Sequence, residues 1–328
     1  MGIQQRPGDD ALTGASPGRR APAGDPDLDV VMGERRRLFH LAYRLLGSVS
    51  EAEDVVQETY ARWYATSAAQ RAEVVTPGAW LTTVASRICL DQLRSARARR
   101  EAYVGEWIPE PVPERAEWIH GWSGGGGTDP ADRATLDESI SMAFLVVLER
   151  MTPAQRVAFV LHDVFRFSFA EVAAIVGRTP AACRQLAATA RRRVREARGS
   201  AAAGTQHAHV VRDFKKAWEA KDLDALIGLL DPDVVASGDG GGVVQAVLDP
   251  VRGGEDVARR AIGILDMREG LTLLERMVNG RPGLVLRENS TTVAVVAFDI
   301  AADGRIRHMW AVRNPEKLRP WTEADGSA

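Results

Sequence analysis

Between Glu171 and Glu196 the chain carries no acidic residue, yet Arg178, Arg184, Arg191, Arg192, Arg193 and Arg195 gather there. The same stretch is punctuated as helix, tight turn, helix. Ser168-Phe-Ala-Glu171 is a capping box, Val172 and Ile175 give the first helix an apolar face, Gly177 ends it, and Thr179-Pro180 opens the next helix. A helix that enters the major groove by its N-terminus needs short side chains at the point of entry, which Pro180, Ala181 and Ala182 supply. Arg184 and Gln185 then reach base edges, and the downstream arginines suit phosphates. A bare charge run would favour a solvated helix in an all-α core; two caps, a glycine turn and one-sided charge together favour DNA binding.

This segregation matters because the chain as a whole is nearly neutral. Its 328 residues hold 42 Lys+Arg against 44 Asp+Glu, which excludes a uniformly basic coat and makes any grip on nucleic acid local. The two cysteines, Cys89 and Cys183, are too few and too distant for a disulfide-framed secreted fold, so reduced thiols and a cytoplasmic location are expected. No run reaches the roughly 18 to 20 apolar residues of a membrane-spanning helix, and the first thirty residues hold no apolar run. No membrane partner is expected.

Residues 1–29 mix Gly, Pro, Asp and Arg without periodicity and read as a disordered tail. Residues 30–101 read as a helical domain. Leu38, Leu41, Ala42, Leu45 and Leu46 recur at helical spacing up to Gly47, Ser50 with Glu53 is a capping box for a second helix, and Thr76-Pro77 opens a long helix toward Arg100. Residues 102–129 form a linker, Pro-stiffened from Trp107 to Pro113 and Gly-flexible at Gly124 to Gly127. A second helical domain, 130–199, restarts at Asp129-Pro130, runs to Met151, and continues through the Thr152-Pro153-Ala-Gln155 cap into the helix-turn-helix.

Residues 200–206 form another linker, and 207–320 change character. Helices near Val210–Trp218, Leu223–Leu230 and Glu255–Leu265 alternate with β-branched runs at Val234–Ser237, Val243–Leu248, Leu271–Val278, Leu284–Arg287, Thr292–Ile300 and Ile306–Val312. Asn279-Gly280 and Asp303-Gly304 are hairpin signals. The fold class is multidomain: two all-α units, then an α+β unit of helices against a curved antiparallel sheet.

Other constellations are weaker. A second basic end, Arg87 with Arg94, Arg97, Arg99 and Arg100, lies near Tyr60, Trp63, Tyr64 and Trp80, the pairing of cations and rings that single-stranded DNA recognition uses. Trp63 and Trp80 fall on apolar faces and suit a core, which leaves Tyr64 as the surface candidate. His207 and His209 face apart and make no metal site, and no P-loop, Gly-x-Gly-x-x-Gly or nucleophile elbow occurs. Asp239-Gly-Gly-Gly242 sets an acidic residue beside a loop of high conformational freedom, either a turn between strands or a functional loop.

These residues resemble a known family. The chain is similar to extracytoplasmic-function sigma factors, the promoter-recognition subunits of bacterial RNA polymerase, in the group with a fused C-terminal SnoaL-like domain. Asp54-Val-Val-Gln-Glu-Thr-Tyr60 resembles the region 2 segment that docks on the polymerase β′ coiled coil. Pro77-Gly-Ala-Trp-Leu81 through Arg100 resembles the part that engages the −10 element, and Ile175 through Leu186 resembles region 4, which reads the −35 element. Trp107-Ile-Pro-Glu-Pro111, Asp239-Gly-Gly-Gly242 and Asn314-Pro-Glu-Lys-Leu318 resemble three signatures of the subgroup. The family's glycine loop continues with Lys, where this chain has Val243.

The resemblance implies sigma region 2 at 30–101, region 4 at 130–199 and a SnoaL-like regulatory cone at 207–320. It implies polymerase contacts at Asp54, Gln57 and Glu58, with the β flap as a further docking point. It also implies −10 contacts at Tyr64, Trp80, Arg87, Arg94 and Arg97, and −35 contacts at Arg178, Thr179, Pro180, Ala181, Arg184, Gln185, Arg191 and Arg192. Trp107, Pro109, Asp239, Gly240, Gly241, Gly242, Asn314, Pro315, Lys317 and Leu318 are the implied regulatory set, through which the last domain packs on the sigma domains. No catalytic residue, metal or cofactor is expected. Two alternatives remain: a ligand-responsive helix-turn-helix regulator, and an isomerase- or cyclase-like enzyme with a DNA-binding appendage, its apolar cavity lined by Asp239, His308 and Trp310.

Overall fold

The computed structural model describes residues 31, 33–101, 103, 105–114, 140–198, 202, 204–244 and 249–323. The expected tail, the Gly124 to Gly127 run, the restart at Asp129-Pro130 and residues 245–248 lie outside the described residues.

The first helical unit comprises α1 (Arg35–Leu46), α2 (Val49–Ala65), α3 (Ala68–Ala72) and α4 (Pro77–Glu101). Helix α1 stops where expected, because Gly47 adopts φ 70° and its N–H reaches the Tyr43 carbonyl. The cap of α2 is Ser48 and not Ser50: the Ser48 hydroxyl accepts from the Glu51 N–H at 3.3 Å. Ser-x-x-Glu occurs in both registers, and the left-handed Gly47 immediately before Ser48 starts the helix two residues earlier.

The second unit comprises α5 (Met142–Glu149), α6 (Pro153–Phe159), a π-helical turn (Val160–Val164), α7 (Phe169–Val176) and α8 (Pro180–Arg198). Both expected capping boxes, Thr152 with Gln155 and Ser168 with Glu171, close in both directions. Gly177 at φ 71° makes the turn into α8. The two helical units share a single apolar core, which runs from Val31 and Leu38 through Leu93 to Phe144, Leu161, Val172 and Val194. Helix α4 packs directly on α6 and α7.

The α+β unit comprises α9 (Gly204–Glu219), α10 (Leu223–Leu229), β1 (Leu230–Asp239), β2 (Val251–Arg252), α11 (Gly254–Met267), β3 (Leu271–Val278), β4 (Arg281–Glu288), β5 (Thr291–Ile300), β6 (Ile306–Val312) and α12 (Arg319–Glu323). Helix α9 thus begins inside the segment expected as a linker, and Ala202 before it is buried with its N–H on the Ile300 carbonyl. The sheet order is β2-β1-β6-β5-β4-β3. It is mixed and not purely antiparallel, because β1 lies parallel to β6; the helical crossover from β1 to the later strands permits that pairing. The expected strand at Val243–Leu248 does not begin at Val243 and Val244, the two of its residues that are described. Val243 and Val244 return their N–H groups to the Gly240 carbonyl in a turn, since two left-handed glycines, Gly241 and Gly242, precede them.

The sheet buries both faces. Helices α9 to α11 cover one, where Phe214 stands edge-on to Trp218 and Phe298. Val278, Val285, Val295, Trp310 and Val312 form the other, and there they meet Ile108, Met142 of α5 and Trp321 of α12. Residues 103–114 are therefore not a free linker. Ile108, Val112 and the side chain of Glu110 are buried in a strap between the first helical unit and the sheet, because the Trp-Ile-Pro-Glu-Pro-Val-Pro run supplies apolar side chains on a backbone that proline keeps extended.

Candidate nucleic-acid interface and interdomain clasp

Helix α8 buries Cys183, Ala187, Ala190 and Val194 against the core. That spacing turns Arg178, Thr179, Pro180, Ala181, Arg184, Gln185 and Arg192 outward, all exposed. The short residues at the N-terminus stand clear, as groove entry requires. The arginines are not equivalent. Arg184 lies over the Phe169 ring at 5.3 Å, and Phe169 is itself stacked on His162 at 3.8 Å. Arg191 donates to Asp163 at 2.7 Å, a bond that raises its already high pKa. Arg193 reaches back to the Arg150 carbonyl and to Gln155. Arg192 makes only a loose pair with Glu196 at 3.7 Å, both exposed.

On the −10 side the expected residues do not form one free surface. Tyr64 is exposed. Trp80 is half-buried and edge-on to Trp63 at 5.1 Å, so it is largely core. Arg87 donates to the Ala174 carbonyl of α7 at 3.1 Å, and Arg94 pairs with Asp91. The Arg97 side chain lies outside the description. Asp54, Gln57 and Glu58, the expected polymerase contacts, share an exposed face of α2 at i, i+3, i+4 spacing; Glu58 pairs with Arg62.

The three subgroup signatures converge on one carboxylate. Asp239, 1% exposed, accepts from the Tyr103 hydroxyl at 2.7 Å, the Gly241 N–H at 3.0 Å, the Ile108 N–H at 3.1 Å and Lys317 Nζ at 2.7 Å. Lys317 also donates to the Ile108 carbonyl and lies over the Trp107 ring at 4.1 Å. Gly240, Gly241 and Gly242 bring the chain round Asn314: a Cβ on Gly241 would stand 2.5 Å from Asn314 Cγ. Asn314 donates to the Tyr103 hydroxyl. Pro315 accepts from the Leu318 N–H, which seats Leu318 in the strap-covered face. Pro109 and Trp107 close on Gly47, whose substitution by any larger residue would meet both. Val243, in place of the family Lys, is exposed outside the cluster.

Sequence reasoning missed a second knot. Asn279, read only as a hairpin residue, is fully buried. It accepts from the Val112 N–H and donates to the Tyr43 hydroxyl at 2.7 Å and the Ile140 carbonyl at 3.0 Å. One side chain thereby ties the sheet to α1, the strap and the start of α5. Glu110 accepts from the Ser48 hydroxyl and the Val49 N–H at the N-terminus of α2; burial nonetheless raises its pKa. Trp321 donates to the Pro111 carbonyl. The legible signal was the Asn-Gly turn and the Trp-x-Pro-x-Pro spacing; nothing in either names the partner.

Asp239, His308 and Trp310 do not line a common cavity, which corrects that expectation. Asp239 is spent on the clasp. Trp310 pairs with Ala297 and lies on the strap-covered face, with His308 stacked against it and 3.5 Å from Asp299. A cavity of about 30 Å³ lies elsewhere, between Ser141–Ala143, His207, the β3–β4 hairpin and β5, room for about one water. Burial lowers the His207 pKa to about 4, so the imidazole is neutral and donates to the Pro282 carbonyl at 3.0 Å. Among the described residues no cluster of metal-binding side chains occurs and no helix is long and apolar enough to cross a membrane.

Two helical units, one ending in a helix-turn-helix, strapped to an α+β unit define a class, and comparison with known proteins agrees with it. Residues 30–99 match the Sigma-70 region 2 model and residues 141–194 the Sigma-70 region 4 model. The ECF RNA polymerase sigma factor SigJ of Mycobacterium tuberculosis is 40% identical over 87% of this chain and 90% of its own length. The probable ECF sigma factor SigI of the same species is 35% identical over 90% and 96%. The crystal structure of SigJ matches with a TM-score of 0.68 at 35% identity, covering 90% of this chain and 98% of that one. This chain belongs to the ECF RNA polymerase sigma factors, and its third unit has an α+β fold.

Proposed function

We propose that this sigma factor directs initiation by holding the −10 element with region 2 and the −35 element with α8 of region 4, and that its C-terminal domain keeps it closed until polymerase engages. Asp54, Gln57 and Glu58 offer the polymerase β′ coiled coil an exposed, polar face of α2. Region 4 docks on the β flap. Arg184 and Gln185 read bases, Thr179 and Arg178 position the helix entry, and Arg192 neutralises phosphate. Tyr64 stacks an extruded base, and Arg87 and Arg94 on α4 take its backbone phosphates.

The single observation that carries the regulatory part is the shared core of regions 2 and 4. Promoter elements ~25 base pairs apart lie roughly 80 Å apart along B-form DNA. Arg87 of region 2, however, touches Ala174 of region 4. The described arrangement cannot span both elements, so the regions must part before a promoter is engaged. The strap, held by Asp239, Lys317 and Asn279, is the element through which the α+β domain opposes that parting. No step of this reading requires a reaction by the chain itself.

Run-off transcription with sigma-free core polymerase tests it, comparing the full chain with a chain truncated after Arg198, while fluorescence energy transfer between labels on regions 2 and 4 reports opening. Truncation is expected to shift the closed state toward open and to change activity on the same promoters. A truncated chain that selects different promoters defeats the regulatory reading. Arg184→Ala is expected to weaken discrimination at −35 by about 1–3 kcal/mol; an unchanged profile rejects the groove assignment.

A further inference from the structure

The π-helical turn Val160–Val164 does more than connect α6 to α7. A single widened turn of this kind breaks the helical repeat and re-aims the side chains it carries. Here it points Asp163 at Arg191 of the recognition helix and His162 at Phe169 of α7. His162, fixed by its Nδ1 contact with the Phe167 carbonyl at 2.8 Å, stacks on Phe169, and Phe169 supports Arg184. Asp163 takes Arg191 at 2.7 Å, the carboxylate being one-fifth exposed and the guanidinium two-fifths. That bond is taken by Oδ1; Asp163 Oδ2 is buried and accepts no hydrogen bond among the described residues. The turn is closed by the Phe165 N–H on the Val160 carbonyl and followed by Arg166 at φ 63°, so its geometry is set by the backbone and not by the arginines.

These contacts act oppositely on two arginines of one helix. A guanidinium resting on a ring keeps its hydrogen-bonding edge free while losing rotamer freedom, which is what a base-reading residue needs. A guanidinium paired with a carboxylate has its charge cancelled where phosphate would otherwise take it. Sequence-independent affinity comes from phosphate neutralisation, and each neutralised phosphate adds about 0.9 to the salt slope for B-form DNA. Removing one cation from that sum lowers binding to all sequences alike and leaves base readout intact, so base contacts carry a larger share of a weaker total while the ratio between promoter and non-promoter DNA is held.

We infer that the π-turn is a specificity-determining element of region 4, in which Phe169, backed by His162, is a positioning residue for Arg184 and Asp163 masks Arg191 from phosphate. The inference rests on the reading of α8 as the −35 helix and deepens it.

Holoenzyme assembled from the full chain and core polymerase is measured for binding to promoter and non-promoter duplexes across a salt series. The isosteric Asp163→Asn is expected to steepen the salt slope by about 0.9 and to raise promoter and non-promoter binding by the same factor. Arg191→Ala alone is expected to leave the slope unchanged, and the double variant to return it to the parental value. Phe169→Ala is expected to lower −35 discrimination roughly tenfold with no change of slope, and Phe169→Tyr to restore it. A merely structural role would move the midpoint of thermal unfolding and not the salt slope. An unchanged slope in Asp163→Asn, or a slope flattened by Arg191→Ala as much as by Arg192→Ala, overturns the masking. Equal loss in Phe169→Ala and Phe169→Tyr overturns the positioning. If Arg184→Ala itself leaves −35 discrimination intact, the groove reading has failed and the present inference with it; if Arg184→Ala acts and the π-turn variants do not, only the inference falls.

Discussion

The two interfaces between the units of this sigma factor are built on different physics. Regions 2 and 4 meet across one apolar core, crossed by Arg156 of region 4, buried, which reaches the Leu45 carbonyl of region 2 at 2.9 Å, and by Arg87, which touches Ala174 at the rim. Across the strap, by contrast, the contact with the α+β domain runs through Asp239, Lys317, Asn279, Glu110 and Trp321, nearly every one bonded to a group distant in sequence. Apolar burial scales with area and has no preferred direction. A buried polar cluster is satisfied or it is not, because each lost partner strands another group away from water. The apolar interface therefore supplies adhesion, and the polar clasp supplies the register and the sensitivity to a single change.

That contrast breaks most readily at Asp239. Asp239→Ala leaves the Lys317 ammonium, 7% exposed, without its counter-charge and is expected to cost about 3–5 kcal/mol, read as a loss of stability in urea unfolding. The double variant Asp239→Ala with Lys317→Met removes the stranded charge and should recover part of the loss; no recovery would mean that the cluster is held by its apolar neighbours.

Acid distinguishes the interfaces next. His207 has its pKa depressed from 6.5 to about 4, so the folded state binds fewer protons than the unfolded one between those values. Its contribution, at most about 3 kcal/mol, is present above pH 6.5 and is lost as pH falls toward 4. Glu110 works in the other direction: with its pKa raised, it adds stability as pH falls through its folded value toward 4.5. In His207→Gln, the fall in stability between pH 6.5 and 4 should flatten, as measured by denaturant midpoints across that range. A wild-type profile in that variant would remove His207 from the account.

Smaller effects complete the ranking. Trp321→Phe keeps the ring in the outer cluster but leaves the Pro111 carbonyl without its donor, expected to cost about 1 kcal/mol in the same unfolding measurement. Arg87→Ala deletes one exposed bond at the rim of the apolar interface and should stay within about 0.5 kcal/mol. If Arg87→Ala instead proved as damaging as Asp239→Ala, adhesion between regions 2 and 4 would itself be polar, and the division between the two interfaces would dissolve.

Local punctuation was the most legible layer. Gly47 and Gly177 end helices, Thr152 and Ser168 cap them, and Asn279-Gly280 turns a hairpin, all through groups within a few residues of one another. The exceptions are local rules with two valid registers, as at Ser48 and Ser50, or runs whose hydrophobicity lacked a partner, as at Val243 and Val244. The exposed face of α8 was legible from helical spacing alone. The strap was not, because Trp107 to Pro113 read as a linker from composition: proline stiffening is visible in a sequence, but the surface it lies on is not.

By itself the sequence determined the helix ends at Gly47 and Gly177 and the caps at Thr152 and Ser168, which face of α8 is basic, and that Asp239, Trp107 and Lys317 belong to signatures that resemble a family's. These depend on contacts a few residues long, or on resemblance. Only the tertiary structure decided that the three signatures meet at one carboxylate, that Asn279 joins α1, the strap and α5, that β1 lies parallel to β6, and that Arg184 and Arg191 have opposite fates on one helix. Each depends on which distant group arrives to share a buried hydrogen bond or charge, and that is settled by the packing of whole elements, which no local window of residues contains.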